Sequence, residues 1–258
     1  MIVATGLLYY HGRKTEIVDL NNYSFHCDGL PDFPIDIAYA AGGMVNGIPI
    51  ICGGANSRIN NSGSETIQTT YKECYAFQKR AWIKIEKSLD EPKFLFGTGN
   101  LVIKDKLLIH GGLTEDIQDT TFSFANSSEL IGFNTHTSKK VTFPVAGHCN
   151  IMINETHFMV TGGLVPYGKS SEVTNKTYYC QTDLNKCIPG PYLNYPRRAH
   201  GCFQMTILGK PYLFVIGGYI DNKQQTSNDV EYLDMSDMSK RQWIVGEFSK
   251  FQISNSSN

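Results

Sequence analysis

Residues Gly163 to Ser170 read Gly-Leu-Val-Pro-Tyr-Gly-Lys-Ser, a letter-for-letter match to the pattern GxxxxGK[ST] whose glycine-rich turn cradles phosphates. The chemistry demands more than the letters. Such a loop must open a helix, because that helix's first amides and its dipole hold the phosphate charge. Here Ser171-Glu172-Val173-Thr174-Asn175-Lys176-Thr177 follows, a β-branched stretch, and Pro166 removes one of the amides the loop would use. Neither a nucleotide nor another cofactor is expected. The seven histidines show no HxH, HExxH or Cys-His ligand spacing, so no metal centre is expected. His110, His148 and His200 lie at the ends of apolar strand segments, where packing and hydrogen bonding account for them. There is no Gly-x-Ser-x-Gly elbow, and Glu115-Asp116 reads as a solvated loop tip rather than a catalytic carboxylate pair. The chain does not read as an enzyme.

Two other residue types carry covalent chemistry. Among the seven cysteines, Cys52 and Cys74 fall on consecutive strands of one repeat unit, Cys180 and Cys187 flank a short turn, and Cys149 and Cys202 occupy matching places in adjacent units. These are the candidate disulfides, with Cys27 left over; the competing reading is seven buried thiols in a reducing compartment. Six Asn-x-Ser/Thr sequons begin at Asn22, Asn60, Asn126, Asn154, Asn175 and Asn255, candidate glycosylation sites in excess of chance. Together they point to an extracellular or secreted protein, with the cytoplasm as the alternative. Met1 to Gly6 reads as a strand and not as a signal peptide. With 23 basic and 24 acidic residues there is no electrostatic footprint for nucleic acid, and no apolar run is long enough for a membrane-spanning helix.

Four apolar runs set the positions of all these residues, and each ends in a glycine doublet: Gly53-Gly54, Gly111-Gly112, Gly162-Gly163 and Gly217-Gly218, at spacings of 58, 51 and 55 residues. A fixed period of this size signals a repeat architecture. Each doublet is followed by a polar stretch and a second short strand, as in Cys74 to Phe77 or Val230 to Asp234. A third strand follows, marked by Trp82 in one unit and Trp243 in another. Then comes a turn with Pro and the strand leading to the next doublet. Four strands per unit with a periodic Gly/aromatic mark is the cue for a propeller blade. The first unit lacks its innermost strand, and Phe251-Gln252-Ile253 is expected to supply it and close the ring, which removes free strand edges. Almost no helix is expected.

The pattern resembles the kelch-repeat β-propellers over essentially the whole chain, in the version without a BTB adaptor domain. Arg197-Arg198-Ala199-His200, Gly217-Gly218-Tyr219, Glu231-Tyr232 and Trp243 stand in family order. Lys93 replaces the unit's arginine in the third unit, and the basic residue is missing in the second and fourth. The resemblance implies one all-β domain over 1–258, of about five four-stranded blades near 1–34, 35–90, 91–144, 145–193 and 194–248. Residues 249–258 form the closing strand or a tail. It also implies non-catalytic binding through loops between strands, with a protein partner first. A carbohydrate ligand, or a sugar-active enzyme with its site at the channel mouth, is the alternative. The loops after the doublets are long, as functional loops are, and Arg58, Tyr167, Lys169, Tyr195, Arg197, Arg198 and Tyr219 map to their face. Tyr and Arg are the types enriched at interface hot spots. The competing reading pairs Arg197 and Arg198 with carboxylates inside the repeat. Asn60, Asn126 and Asn175 fall on the same face and would partly cover it if glycosylated; Asn22 and Asn154 fall on the other.

Overall fold

The computed structural model describes residues 2–4, 13–19, 24–26, 29–59, 65–95, 100–116, 121–141, 143–223, 225–236 and 241–246. Among them there is no helix, and every extended sheet is antiparallel. The chain divides into two compact units, Met1–Ala146 and Gly147–Asn258.

In the first unit β1 (Ile2–Ala4), β2 (Glu16–Asp19) and β3 (Ser24–His26) form a three-stranded sheet. Next come β4 (Ala41–Val45), β5 (Ile48–Cys52), β6 (Ala55–Ile59), β7 (Glu65–Thr70), β8 (Cys74–Gln78) and β9 (Ala81–Lys84). After them run β10 (Asn100–Ile103), β11 (Lys106–His110), β12 (Leu113–Asp116), β13 (Thr121–Phe124), β14 (Ser127–Ile131) and β15 (His136–Lys140). The second unit repeats the plan with β16 (Cys149–Asn154), β17 (His157–Thr161), β18 (Leu164–Tyr167), β19 (Ser170–Val173), β20 (Thr177–Gln181) and β21 (Cys187–Pro189). It ends with β22 (Gly201–Ile207), β23 (Lys210–Ile216), β24 (Val230–Asp234) and β25 (Ile244–Gly246). The four-stranded sheets are β4-β5-β8-β9, β10-β11-β14-β15, β16-β17-β20-β21 and β22-β23-β24-β25. The strand expected at Phe251 to Ile253 lies outside the described residues.

Apolar side chains from neighbouring sheets meet face to face. Ala41, Ile50 and Ala76 of one sheet pack with Leu107, Ile109 and Ile131 of the next; in the second unit Ile151 and Met159 pack with Leu213, Val215, Leu233 and Trp243. The two tryptophans pin segments to this frame. Trp82 Nε1 donates to Thr15 Oγ1 at 2.8 Å, and the buried Trp243 donates to the Pro191 carbonyl at 3.0 Å.

The doublets are glycine for two separate reasons. All eight residues have positive φ, from +57° at Gly162 to +106° at Gly163, a region that side chains other than glycine's rarely enter. Space is also missing. A Cβ on Gly111 would stand 2.2 Å from the Val145 carbonyl oxygen, and one on Gly162 would stand 2.4 Å from that of Arg197. The second glycine of three of the doublets uses the same closeness. Gly54 N donates to Lys93 O, Gly112 N to Val145 O and Gly163 N to Arg197 O, so these three doublets are stitched to a later segment of the chain. Gly162→Ala is therefore expected to cost about 2–4 kcal/mol, combining strain with a backbone clash. Gly168→Ala, also at positive φ (+59°) but in open space, should cost only about 1 kcal/mol. Urea denaturation of the two variants checks this; equal costs would contradict it.

The stretches after the doublets are not irregular loops. Three of them fold into two-stranded hairpins, β6-β7, β12-β13 and β18-β19. The fourth is held by bridges of Tyr219 to Arg198 and to Thr226. Glu115 and Asp116, read as a loop tip, lie in β12 and pair with Phe122 and Thr121.

Candidate functional site

Register decides which residues share an end of each sheet. In the second unit the doublet Gly162-Gly163 follows β17, whose last residue Thr161 faces Cys149 of β16 and Thr177 of β20. Hairpin β18-β19 leaves from this end. So does the chain after β21, because Pro189 faces Tyr178, next to Thr177. That chain, residues 190–200, arrives at Gly201, which faces Ile216 just before Gly217-Gly218. The hairpin, the segment 190–200 and the loop 219–227 therefore gather at the doublet end of this unit's sheets. Asn222 Nδ2 ties the loop to the hairpin through Ser171 O at 2.8 Å.

The sequence-selected residues separate into two groups here. Tyr167 is 64% exposed at the tip of β18, Lys169 is exposed in the turn, and Tyr195 is 43% exposed on segment 190–200. Tyr192, not singled out by the sequence, is 58% exposed on the same segment. Tyr219 is partly buried. Its ring lies 4.9 Å from the guanidinium carbon of Arg198, and the two backbones pair in both directions at 2.9 Å. Arg198 is 8% exposed and Arg197 fully buried, so the expectation that this pair faces a partner is corrected: both are consumed inside the unit. Only the backbone of Arg58 is described, within β6.

Arg197 is one half of a buried ion pair. Its Nη2 donates to Glu231 Oε1 at 2.7 Å and its Nη1 to Gly217 O, also at 2.7 Å. Glu231 accepts in addition from the amides of Asn194 at 2.6 Å and Tyr195 at 3.2 Å. The first unit holds the same device. Lys93 Nζ lies 2.6 Å from Glu129 Oε1, both side chains are fully buried, and Asp90 N donates to Glu129 Oε2 at 2.9 Å. Glu129 faces Ile109 of its neighbouring strand just as Glu231 faces Val215. In the sheet β4-β5-β8-β9 the corresponding positions are Ile37 and Tyr75, which pack together with Phe33 and Ile51. Cation and carboxylate are present together or replaced together. These pairs hold segments 90–93 and 194–197 against the sheets and perform no chemistry at the surface.

His136 completes the first pair. Its Nε2 lies 2.8 Å from Glu129 Oε2 and its Nδ1 3.7 Å from Asp90 Oδ1. The ligand atoms of Asp90, Glu129 and His136 are within 4.8 Å of one another, the spacing a cation would need. Both Glu129 oxygens are nevertheless engaged, one by Lys93 and Ser127 and the other by Asp90 N and His136, which fills the carboxylate's acceptor sites. His110 and His200 are fully buried and held neutral. Burial, and secondarily the positive charge of Lys93 or Arg197, lowers each to about 3.

The nucleotide-like motif forms a hairpin. Leu164–Tyr167 pairs with Ser170–Val173, and Gly168 supplies the positive φ of the two-residue turn. Lys169 thus projects from a turn with no helix N-terminus behind it.

Cys52–Cys74, Cys149–Cys202 and Cys180–Cys187 are disulfide-bonded. The first and third join residues directly opposite on paired strands, with Cα atoms 4.1 Å apart; the second joins the first strands of two sheets across 6.0 Å. Three bonded pairs suit an oxidising compartment. Cys27 lies outside the described residues, as do the sequon asparagines Asn22, Asn60 and Asn255. Asn126 and Asn154 are exposed. Asn175 is not available in the same way, because its Nδ2 donates to Leu193 O at 3.0 Å. No protein-family model matches the chain, and no curated protein matches it.

Proposed function

We propose that this chain is a kelch-like propeller of about five blades whose role is non-catalytic binding outside the cell, with a protein as partner. The observation that carries the reading is the division of labour at the doublet end. Basic and acidic residues that the repeat needs are buried there as Arg197–Glu231 and Lys93–Glu129, whereas tyrosines that the repeat does not need are exposed. Tyr167, Tyr192 and Tyr195 place large, rigid, amphipathic rings on a hairpin tied to the neighbouring loop through Asn222 and on a segment anchored through Leu193 and Glu231. Rings with few rotatable bonds bind at low entropic cost. A glycan is the second ligand class, since exposed tyrosines also suit sugar rings.

The test is saturable binding of the labelled, multimerised full chain to intact cells. The double variant Tyr167→Ala/Tyr195→Ala is expected to bind at least about tenfold more weakly, the effect of losing roughly 1.4 kcal/mol at two hot-spot rings. Protease treatment of the cells should abolish binding and glycosidase treatment should not. Loss on glycosidase alone would transfer the reading to the glycan, and binding unaffected by the double variant would refute the site.

A further inference from the structure

We propose that Asn154 is an N-glycan acceptor and that Asn175, which carries the same kind of sequon, is not. The three letters are equal in the two cases; their surroundings are opposite.

Asn154 ends β16, and Glu155 and Thr156 form the exposed turn to β17. The Asn154 side chain is oriented by its oxygen alone. Oδ1 accepts from Thr156 N, Thr156 Oγ1 and His157 N, each at 2.9 Å. This fixes the carboxamide with Oδ1 turned into the turn, and Nδ2, the atom that takes the sugar, is not used by any of the three bonds. The sequon hydroxyl of Thr156 is already directed at the acceptor's own amide. Attachment of a sugar here leaves every one of these bonds in place.

Asn175 is built the other way. Its Nδ2 donates to Leu193 O at 3.0 Å, while Leu193 N donates back to Asn175 O at 2.9 Å. Thr177, the sequon hydroxyl, is fully buried and donates to Pro191 O at 2.8 Å. Leu193 itself is a core residue. A glycan on Nδ2, the atom bonded to this segment, would crowd the backbone of segment 190–200, and the buried Thr177 hydroxyl is turned to Pro191 O. The folded segment and this modification compete for the same atom.

The transfer needs a glycosyl donor of the lipid-diphosphate-linked oligosaccharide class. The bond from the sugar's anomeric carbon to the diphosphate oxygen breaks and a bond from that carbon to Nδ2 forms. One amide proton leaves with the diphosphate, and nothing is oxidised or reduced. The inference rests on the extracellular reading above for its compartment, and it adds a polarity to the unit. Asn154 sits at the end of β16 and β17 opposite Gly162-Gly163, so a glycan there leaves the Tyr167 hairpin clear.

The full chain, passed through the secretory pathway of an animal cell behind a cleavable leader, is purified from the medium. It is treated with peptide N-glycosidase in heavy-oxygen water and mapped by peptide mass spectrometry. The expected result is labelled aspartate at position 154 in most molecules, lost in Thr156→Ala, and unlabelled asparagine at position 175. An unmodified Asn154 would overturn the inference, as would a glycan on Asn175 in molecules that keep all three disulfides and an unchanged melting temperature. The compartment is judged separately on protein from its own source: seven free thiols and no glycan there would refute the extracellular reading while leaving the site preference measured in the secretory pathway intact.

Discussion

Replacing Arg197 by Met is expected to lower the unfolding free energy by about 3–5 kcal/mol, because it leaves the Glu231 carboxylate buried without its counter-charge. Both side chains are fully buried, so solvent screening does not soften the loss. The molecule itself supplies the rescue. Where Arg197 and Glu231 stand in one sheet, Ile37 and Tyr75 stand in another, packed with Phe33 and Ile51. The double variant Arg197→Ile/Glu231→Tyr is therefore expected to recover at least about 2 kcal/mol relative to the sum of the two single changes, as a directly coupled pair should. Chemical denaturation of the four proteins in the cycle measures it. Additive costs would mean that the pair is not the unit of stability. The same cycle at Lys93 and Glu129 would behave alike, with His136 as a further partner to the carboxylate.

Acidification is expected to destabilise the protein through His110 and His200. Each is lowered to about 3 in the folded state, with burial as the main cause and the neighbouring cation as the second. In the unfolded chain a histidine titrates near 6.5. Below that pH the unfolded state binds a proton that the folded state refuses, so stability falls as pH falls, at about 1.4 kcal/mol per pH unit for each histidine. The window runs from the unfolded value down to the folded one; above it these two residues contribute no pH dependence. Between pH 6.5 and 4.5 the two together are expected to remove about 5 kcal/mol. His200→Gln, which can keep a hydrogen bond to Thr161 Oγ1, should remove about half of that slope. Urea midpoints measured across this range decide it. A slope unchanged in His200→Gln would contradict the assignment.

The scaffold was legible because its signals are local. An apolar run ending in Gly-Gly is a strand whose chain must then enter left-handed backbone, and the four doublets have that geometry. The cysteines were legible for a related reason, since matching places in repeated units lie near one another. The hairpins were harder. β18 and β19 are only four residues each, β18 contains a proline and β19 is mostly polar, so neither alternation nor β-propensity marks them. Arg197 and Arg198 misled because charge ordinarily signals solvent. The carboxylate that buries Arg197 lies on another strand, 34 residues along. One signal did exist within the single sequence: a basic residue at 93 or 197 occurs with a glutamate at 129 or 231, and Ile37 occurs with Tyr75. Asn175 could not have been separated from Asn154 by its letters, because the distinction is a hydrogen bond to Leu193.

The central claim is that the repeat fixes the scaffold while the elements after the doublets bind. Its most direct test shortens hairpin β18-β19, replacing Val165 to Glu172 with Asn-Gly, and reads cell binding and melting temperature on the same full-length protein. The expected result is a melting temperature within a few degrees of the parent's, since the hairpin is a separate two-stranded sheet, with binding lost. Undiminished binding would place the partner elsewhere, and collapse of the fold would show that the hairpin belongs to the scaffold.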